Sequence, residues 1–180
     1  MRKNKIAYVL YILCFIIMLA LLSFVYSCEK KEPEVKPAPS EIMKKIFDEF
    51  PEYKDADYDN NIKSKELSES KATEIYSDDK NKPVDLSKIE KYSIMQAGEN
   101  SADEIAIFKL YDKVNTDYVK RMAQTRITKM QDCANLNSDT NLSVIFNNAE
   151  IRSYGNYVYY VSHPQKDKIF EIIEKSLRGV

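Results

Sequence analysis

Hydrophobic and polar positions divide the start of the chain sharply. An uncharged, mostly apolar run extends from Ile6 to Tyr26, and Arg2, Lys3 and Lys5 precede it. Basic residues ahead of an apolar run that ends at a small residue are typical of a secretory signal, which a peptidase removes. The run also meets the roughly 20 apolar residues with which a helix crosses a bilayer. Residues 1–27 are therefore predicted to enter a membrane, either as a cleaved signal or as a retained span.

The next segment, residues 28–40, has almost nothing to bury. It is dense in Lys and Glu, and it contains Pro33, Pro37 and Pro39. Such a composition cannot offset the entropy lost on ordering, and prolines keep the chain extended. The segment is predicted to be a disordered tether that holds a single folded domain, residues 41–180, away from the membrane.

Apolar residues recur at helical spacing at the start of this domain, at positions Ile42, Met43, Ile46, Phe47 and Phe50. The spacing predicts an amphipathic helix, with Ser40 as its N-cap and Pro51 at its end. An acidic loop is expected over residues 52–61. A second, weaker helix is expected over residues 65–77.

The pattern then changes to strand-forming residues. Residues 92–97 and 104–111 are rich in aliphatic and aromatic side chains, and the polar loop between them predicts a β-hairpin. The helical spacing returns over residues 114–135, where one face is apolar and the remaining positions are mostly polar. This stretch is predicted to be the longest helix of the domain.

A second hairpin is predicted from residues 149–154 and 157–162. The two residues between them begin with Gly155, which supplies the positive φ that a tight hairpin turn requires. A last helix follows, with Pro164 in its first turn and Gly179 as its C-cap.

The predicted order of elements is α-α-ββ-α-ββ-α. Two hairpins that are joined through a helix most simply form one sheet. The fold class is therefore predicted to be α+β, with a four-stranded antiparallel sheet and helices packed on at least one of its faces.

Charge excludes one class of partner. The chain has 27 Lys and Arg against 28 Asp and Glu, and residues 1–27 hold three of the basic residues and none of the acidic ones. Without that segment the chain carries a mild negative charge of mixed pattern. Nucleic-acid binding needs clustered Lys and Arg, so DNA and RNA are excluded as partners.

The residues Val25-Tyr26-Ser27-Cys28 resemble the bacterial lipoprotein box, in which an aliphatic and a small residue precede a cysteine that is diacylated. Tyr26 departs from the pattern, which prefers a small residue at that position. Two acyl chains anchor a protein stably to a bilayer. Cys28 is the predicted lipidation site, with a single-pass helix as the alternative, and both predict a location on the outer face of a bacterial cell membrane.

Two strand motifs carry a family resemblance. The residues 102–109, then Arg126, then Gly155-Asn156-Tyr157-Val158 resemble the family catalogued as domain of unknown function four-three-five-eight. Its members are small secreted lipoproteins of Gram-positive bacteria, and the resemblance covers roughly residues 75–175. Residues 134–137 depart from the family, which often has an aromatic-proline pair there. The resemblance implies an envelope location and no particular activity.

One acidic segment matches part of a calcium-loop template. Asp55, Asp57, Asp59 and Glu66 fall at positions one, three, five and twelve, and calcium prefers such oxygen ligands. Asn60 stands where the template has the glycine of its sharp turn, and two nearby lysines oppose a cation. A solvated acidic loop is the competing interpretation, so a calcium-dependent adhesion module is retained only as an alternative and no metal is assigned.

A thiol hydrolase would need Cys133 and His163. His163 is the only histidine, and Cys133 is the only cysteine outside the apolar run and the lipidation site, so no internal disulfide is expected. The pair could act as nucleophile and base. The competing interpretation is a packed thiol and a solvent-facing imidazole.

Two further groups have plain structural interpretations. Tyr154, Tyr157, Tyr159 and Tyr160 could form a ligand-stacking face, although tyrosines in strands commonly pack in a core. Asp103 or Glu104 could form an ion pair with Arg126 or contribute to a polar site. No catalytic, cofactor or metal-binding residue is assigned. The sequence predicts a membrane-tethered binding or accessory module, with an envelope hydrolase as the rival.

Overall fold

A computed structural model describes residues 36–55, 57–59, 68–79, 81–96, 102–136 and 140–180. The predicted membrane segment, residues 1–27, and the lipidation site Cys28 lie outside these ranges. Within these ranges, no helix is both long enough and apolar enough to cross a bilayer.

The described chain forms five α-helices, five β-strands and three short 3-10 helices. The α-helices are α1 (Pro39–Glu49), α2 (Glu69–Tyr76), α3 (Thr116–Leu136), α4 (Thr140–Asn147) and α5 (Lys166–Arg178). The strands are β1 (Asp57–Asp59), β2 (Ile89–Gln96), β3 (Glu104–Leu110), β4 (Glu150–Tyr154) and β5 (Tyr157–Ser162). The 3-10 helices are Pro51–Asp55, Leu86–Lys88 and Lys113–Asn115.

All five strands belong to one antiparallel sheet in the order β1-β2-β3-β5-β4. The two predicted hairpins meet where β3 pairs with β5, with Phe108 opposite Val158. The α+β class and the four predicted strands are confirmed, and β1 adds a short fifth strand at the edge beside β2. The loop expected over residues 52–61 is wrong in part, because a 3-10 helix and β1 occupy its described residues.

Helices cover both faces of the sheet. Successive side chains of a strand point to opposite faces, so β3 and β5 contribute apolar residues to two cores. One core contains α2 and α3 packed on Ala106, Phe108 and Tyr160. The other contains α1 and α5 packed on strand residues that include Ile105 and Ile107. The domain therefore has three layers, with the sheet in the middle.

The ends of the helices agree only partly with the sequence. The predicted N-cap Ser40 is wrong, because α1 begins at Pro39, which needs no N–H partner in the first turn. The backbone N–H of Ala38 instead donates to the Glu41 carboxylate at 2.9 Å. Pro164 precedes α5 instead of lying in its first turn. Gly179 ends α5 in the left-handed region with φ 76°, as predicted.

The turn between β4 and β5 confirms the predicted two-residue hairpin. Gly155 has φ 58°, a conformation that side chains with a Cβ rarely adopt. The carbonyl of Asn156 accepts from the N–H of Leu110, and its side-chain amide donates to the Leu110 carbonyl, both at 2.8 Å. The turn is thereby fixed to the end of β3.

Candidate functional site

A buried ion pair joins the sheet to α3. Glu104 begins β3, and Arg126 projects from the middle of α3. Arg126 Nη2 lies 2.6 Å from Glu104 Oε2, and Arg126 Nε lies 3.1 Å from both carboxylate oxygens. The side chain of Glu104 is only 5% exposed, and that of Arg126 is 16% exposed. The sequence predicted an ion pair of Arg126 with Asp103 or Glu104, and in the structure the partner is Glu104.

Two tyrosines and an amide extend this pair into a network. The hydroxyl of Tyr160 donates to Glu104 Oε1, and the hydroxyl of Tyr76 lies 3.4 Å from that of Tyr160. Because Tyr160 gives its one proton to the carboxylate, Tyr76 is the donor to Tyr160. Gln96 Nε2 donates to Glu104 Oε2 at 3.3 Å. The carboxylate therefore accepts hydrogen bonds from Arg126, Tyr160 and Gln96.

The environment of the network fixes the protonation of its donors. Burial raises the pKa of Tyr76 and of Tyr160 well above 10, and the negative charge of Glu104 adds to both shifts. Burial alone would lower the pKa of Arg126, but hydrogen bonds and attraction to Glu104 raise it above its ordinary value. The two hydroxyls stay protonated and Arg126 stays charged near neutrality. These donors therefore suit a structural role better than acid–base chemistry.

The sequence did not predict that Tyr76, Gln96 and Tyr160 would join Glu104 in one network. Tyr76 and Tyr160 are separated by 84 positions in the chain. Their helical and strand positions predict burial, but not which polar group each hydroxyl meets. Only Gln96 carried a local signal, because it faces Glu104 across the β2–β3 hairpin.

An open groove of about 370 Å³ lies between α3 and the segment that runs from the end of α2 to Val84, and it shares Tyr76 with this network. Tyr76 and Met122 lie at its base, and Tyr118 and Arg121 line it from α3. The Tyr118 hydroxyl accepts from the N–H of Asp85 at 2.7 Å. Arg121 is exposed and makes no hydrogen bond or ion pair within the described part of the chain. The groove thus combines an aromatic and apolar base with the guanidinium of Arg121, and Asp78 and Lys82 also line it.

His163 lies at the end of β5 and is only 7% exposed, so the predicted solvent-facing imidazole is wrong. Its ring makes edge contacts with Phe50 and Tyr53, at centroid distances of 5.6 and 5.4 Å. Its Nδ1 accepts from the N–H of Gln165 at 2.9 Å. The imidazole is therefore a core group that also fixes the turn before α5.

Acidic groups lie near this imidazole. The hydroxyl of Tyr53 donates to Asp103 Oδ2 at 3.1 Å. Burial lowers the pKa of His163, whereas the charges of Asp103 and Glu52 oppose that shift. Burial has the larger effect, so His163 is neutral at neutral pH.

The structure does not bring Cys133 and His163 together. Cys133 is exposed on α3, which makes the predicted packed thiol wrong as well. Helix α3 covers the sheet face that carries Phe108, whereas His163 packs with Phe50 on the other face. A thiol mechanism usually needs a hydrogen bond between nucleophile and base. Cys133 and His163 lie in layers on opposite faces of the sheet, so they do not have this geometry.

Of the calcium-loop segment, Asp55 ends a 3-10 helix and Asp57–Asp59 has an extended backbone. Asp57–Asp59 pairs with β2 as the edge strand, whereas the early positions of a calcium loop turn around their ion. Positions 60–67 lie outside the described residues, so the calcium hypothesis stays a prediction. Across the described ranges, no cluster of three or more His, Cys, Asp or Glu side chains could hold a metal ion.

The tyrosine cluster is divided between the two cores. Tyr157 and Tyr159 pack with α1 and α5, and Tyr160 packs on the opposite face. Burial raises the pKa of Tyr157 and of Tyr159 to about 12. Core packing is confirmed for these three residues. Tyr154, at the turn, is 37% exposed.

No known protein family, curated protein or solved structure matches this chain. The resemblance of the strand motifs to a lipoprotein family therefore remains a prediction.

Proposed function

We propose that this protein is a lipid-anchored domain on the outer face of a bacterial cell membrane, and that it acts by binding and not by catalysis. The apolar run of residues 6–26, the lipoprotein-like residues that end at Cys28 and the charged tether support the anchor. The resemblance of the strand motifs to secreted lipoproteins agrees with this location. The retained span of residues 6–26 is the alternative attachment.

The placement of the reactive groups is the observation that supports a role in binding and not in catalysis. Glu104 and Arg126 satisfy each other beneath two protonated tyrosines. Cys133 and His163, the candidate nucleophile and base, belong to opposite layers of the fold. Neither arrangement offers a paired nucleophile and base at an open surface.

The groove between α3 and the segment after α2 has a lining that suits a small ligand. Arg121 can pair with an anionic group, because a guanidinium presents several donors in one plane. Tyr76 and Met122 offer an apolar base, and Tyr118 offers a second ring. A ligand with a carboxylate attached to a flat or apolar body fits this combination.

The binding proposal is tested with a panel of aryl carboxylates, beginning with benzoate, by saturation-transfer NMR on the full-length chain in detergent micelles. Transfer to the aryl protons is expected for the wild type and for Lys120→Ala, the control that removes a cation outside the groove lining. It is expected to disappear in Arg121→Ala. Equal transfer to all three proteins would contradict the groove as the binding site.

The anchor is tested separately by growing a bacterial host with an alkyne analogue of palmitate. Label is expected on the wild-type chain and on Cys14→Ser, and it should be absent from Cys28→Ser. An unlabelled wild-type chain that stays in the membrane with Met1 intact would favour the spanning helix. An unlabelled chain in the cytosol would contradict membrane attachment altogether.

A further inference from the structure

The polypeptide enters the domain at one identifiable end of the sheet. The hydroxyl of Tyr157 donates to the carbonyl of Pro37 at 2.7 Å, and Lys36 Nζ lies 4.9 Å from the centroid of the Tyr154 ring. Tyr154 and Tyr157 flank the turn between β4 and β5. Lys36 and Pro37, which belong to the predicted tether of residues 28–40, are therefore fixed beside this turn.

Exposed apolar side chains are found at the same end. Tyr111 and Val114, in the connection from β3 to α3, are 64% and 78% exposed. Hydrogen bonds between Leu110 and Asn156 hold this connection against the β4–β5 turn. Val114 and Gly155 also line one shared hollow of the surface. We name the surface formed by Lys36, Tyr111, Lys113, Val114 and Tyr154 the tether-side surface.

The length of the tether limits how far this surface can lie from a bilayer. Seven residues, 29–35, separate Cys28 from Lys36. A fully extended chain spans at most about 3.6 Å per residue, so an acylated Cys28 keeps Lys36 within roughly 30 Å of the lipid. Lys36 is thus the described residue that lies nearest along the chain to the proposed anchor. This step depends on the proposed lipid anchor.

We propose that the tether-side surface docks on the lipid bilayer, with Tyr111 and Val114 inserted into the headgroup region. A tyrosine has an apolar ring with a polar tip, which suits the boundary between headgroups and acyl chains. Lys113 is exposed between these two residues and can extend its amine toward lipid phosphates. The neighbouring Asp112 carboxylate accepts a hydrogen bond from the N–H of Val114 at 2.9 Å. This hydrogen bond fixes the backbone conformation of the connection from β3 to α3.

The fold supplies a control position at the far end. Helix α3 begins two residues after Val114 and has 21 residues, which corresponds to a length of about 30 Å. The exposed Cys133 lies in its last turn. A probe on Cys133 therefore reports on the end of the domain away from the tether.

The experiment uses the processed and acylated chain in phosphatidylglycerol vesicles that contain brominated lipids. An environment-sensitive fluorophore is attached either to native Cys133 or to Val114→Cys in a Cys133→Ser background. Under the proposed processing Cys14 is removed and Cys28 is acylated, so each chain carries one label. Circular dichroism of both chains establishes that they are folded. We expect the brominated lipids to quench the probe at position 114 several-fold more than the probe at position 133.

Equal quenching at both positions, or no quenching at either while the chain stays on the vesicles, would overturn the docking surface and leave the anchor intact. A probe at position 114 that is shielded from water but not quenched by lipid would also overturn it, because a second copy of the chain would then cover the surface. Recovery of the unacylated chain in solution would instead refute the proposed anchor.

Discussion

Arg126 Nη2 lies 2.6 Å from Glu104 Oε2, across the boundary between α3 and the sheet. Both side chains are largely removed from water, so each charge depends on the other for compensation. The contact also joins residues 22 positions apart, one at the start of β3 and one in the longest helix of the described residues. The pair thereby fixes α3 in register with the sheet beneath it.

Replacing Arg126 with methionine is predicted to lower the free energy of unfolding by about 3–5 kcal/mol, because Glu104 would remain buried without its cation. Urea denaturation of the full-length chain in detergent micelles measures the change. Arg121→Met is the matched control, since Arg121 is exposed on the same helix, and it should stay within about 0.5 kcal/mol of the wild type.

A double variant separates the pair from the packing around it. Glu104→Gln combined with Arg126→Met removes both charges, and it should be more stable than Arg126→Met alone. If the loss of unfolding free energy in the double variant equals the sum of the losses in Glu104→Gln and Arg126→Met, the two residues do not interact energetically.

Tyr160→Phe is predicted to destabilise the domain by about 1–3 kcal/mol, because the variant removes one donor from the buried Glu104 carboxylate and the acceptor of Tyr76. Tyr154→Phe is the control, since the ring of Tyr154 is partly exposed and the change should be nearly neutral. Thermal unfolding of both variants measures the difference in their stability. Equal stability of the two would show that the tyrosine network adds nothing.

Stability is predicted to fall as the pH drops below about 6.5. Burial lowers the pKa of His163 from its ordinary value of 6.5, so the unfolded chain binds this proton more readily than the folded one. The contribution of His163 is complete above 6.5 and is lost as the pH falls toward the lowered value. The pKa values of Asp85 and Glu150 are lowered from 3.8 and 4.5, so their contributions change at more acidic pH.

Urea denaturation between pH 7.5 and pH 5 measures this slope. His163→Asn keeps an acceptor for the N–H of Gln165 but cannot titrate, so its stability should change little over the same range. A slope unchanged by the substitution would assign the pH dependence to other groups.

Gly155→Ala is predicted to lower the free energy of unfolding by about 1–2 kcal/mol. The left-handed backbone at φ 58° would bring the alanine Cβ too close to the carbonyl oxygen that follows it. Gly155→Asn should cost less, since asparagine tolerates this conformation better. A Cβ at this position would also lie 3.2 Å from Lys36 Nζ, a flexible group that can move. If alanine and asparagine cost the same, backbone strain is not the cause.

The strong local patterns predicted most of the fold. Gly155 fixed the register of the second hairpin, and the apolar spacing along residues 114–135 located α3 almost to its ends. Strand β1 was missed because three residues that include two aspartates lack the composition of a strand and gain their structure from pairing with β2. Helix α4 was missed because a helix of only eight residues gives a weak periodic signal.

The candidate site was predictable only in part. Alternation along a strand assigns Asp103 and Glu104 to opposite faces, but the sequence does not show which face meets Arg126. The exposure of Cys133 and the burial of His163 were both predicted in reverse. The burial of His163 depends on its tertiary neighbours Phe50 and Tyr53, which lie far from it in the sequence.

The mass of the N-terminal peptide from native membranes tests the central claim most directly. A peptide that begins at Cys28 and carries two acyl chains is the predicted result, and it would place the domain on its anchor at the membrane surface. A full-length chain with an intact Met1, recovered from the soluble interior of the cell, would contradict the account.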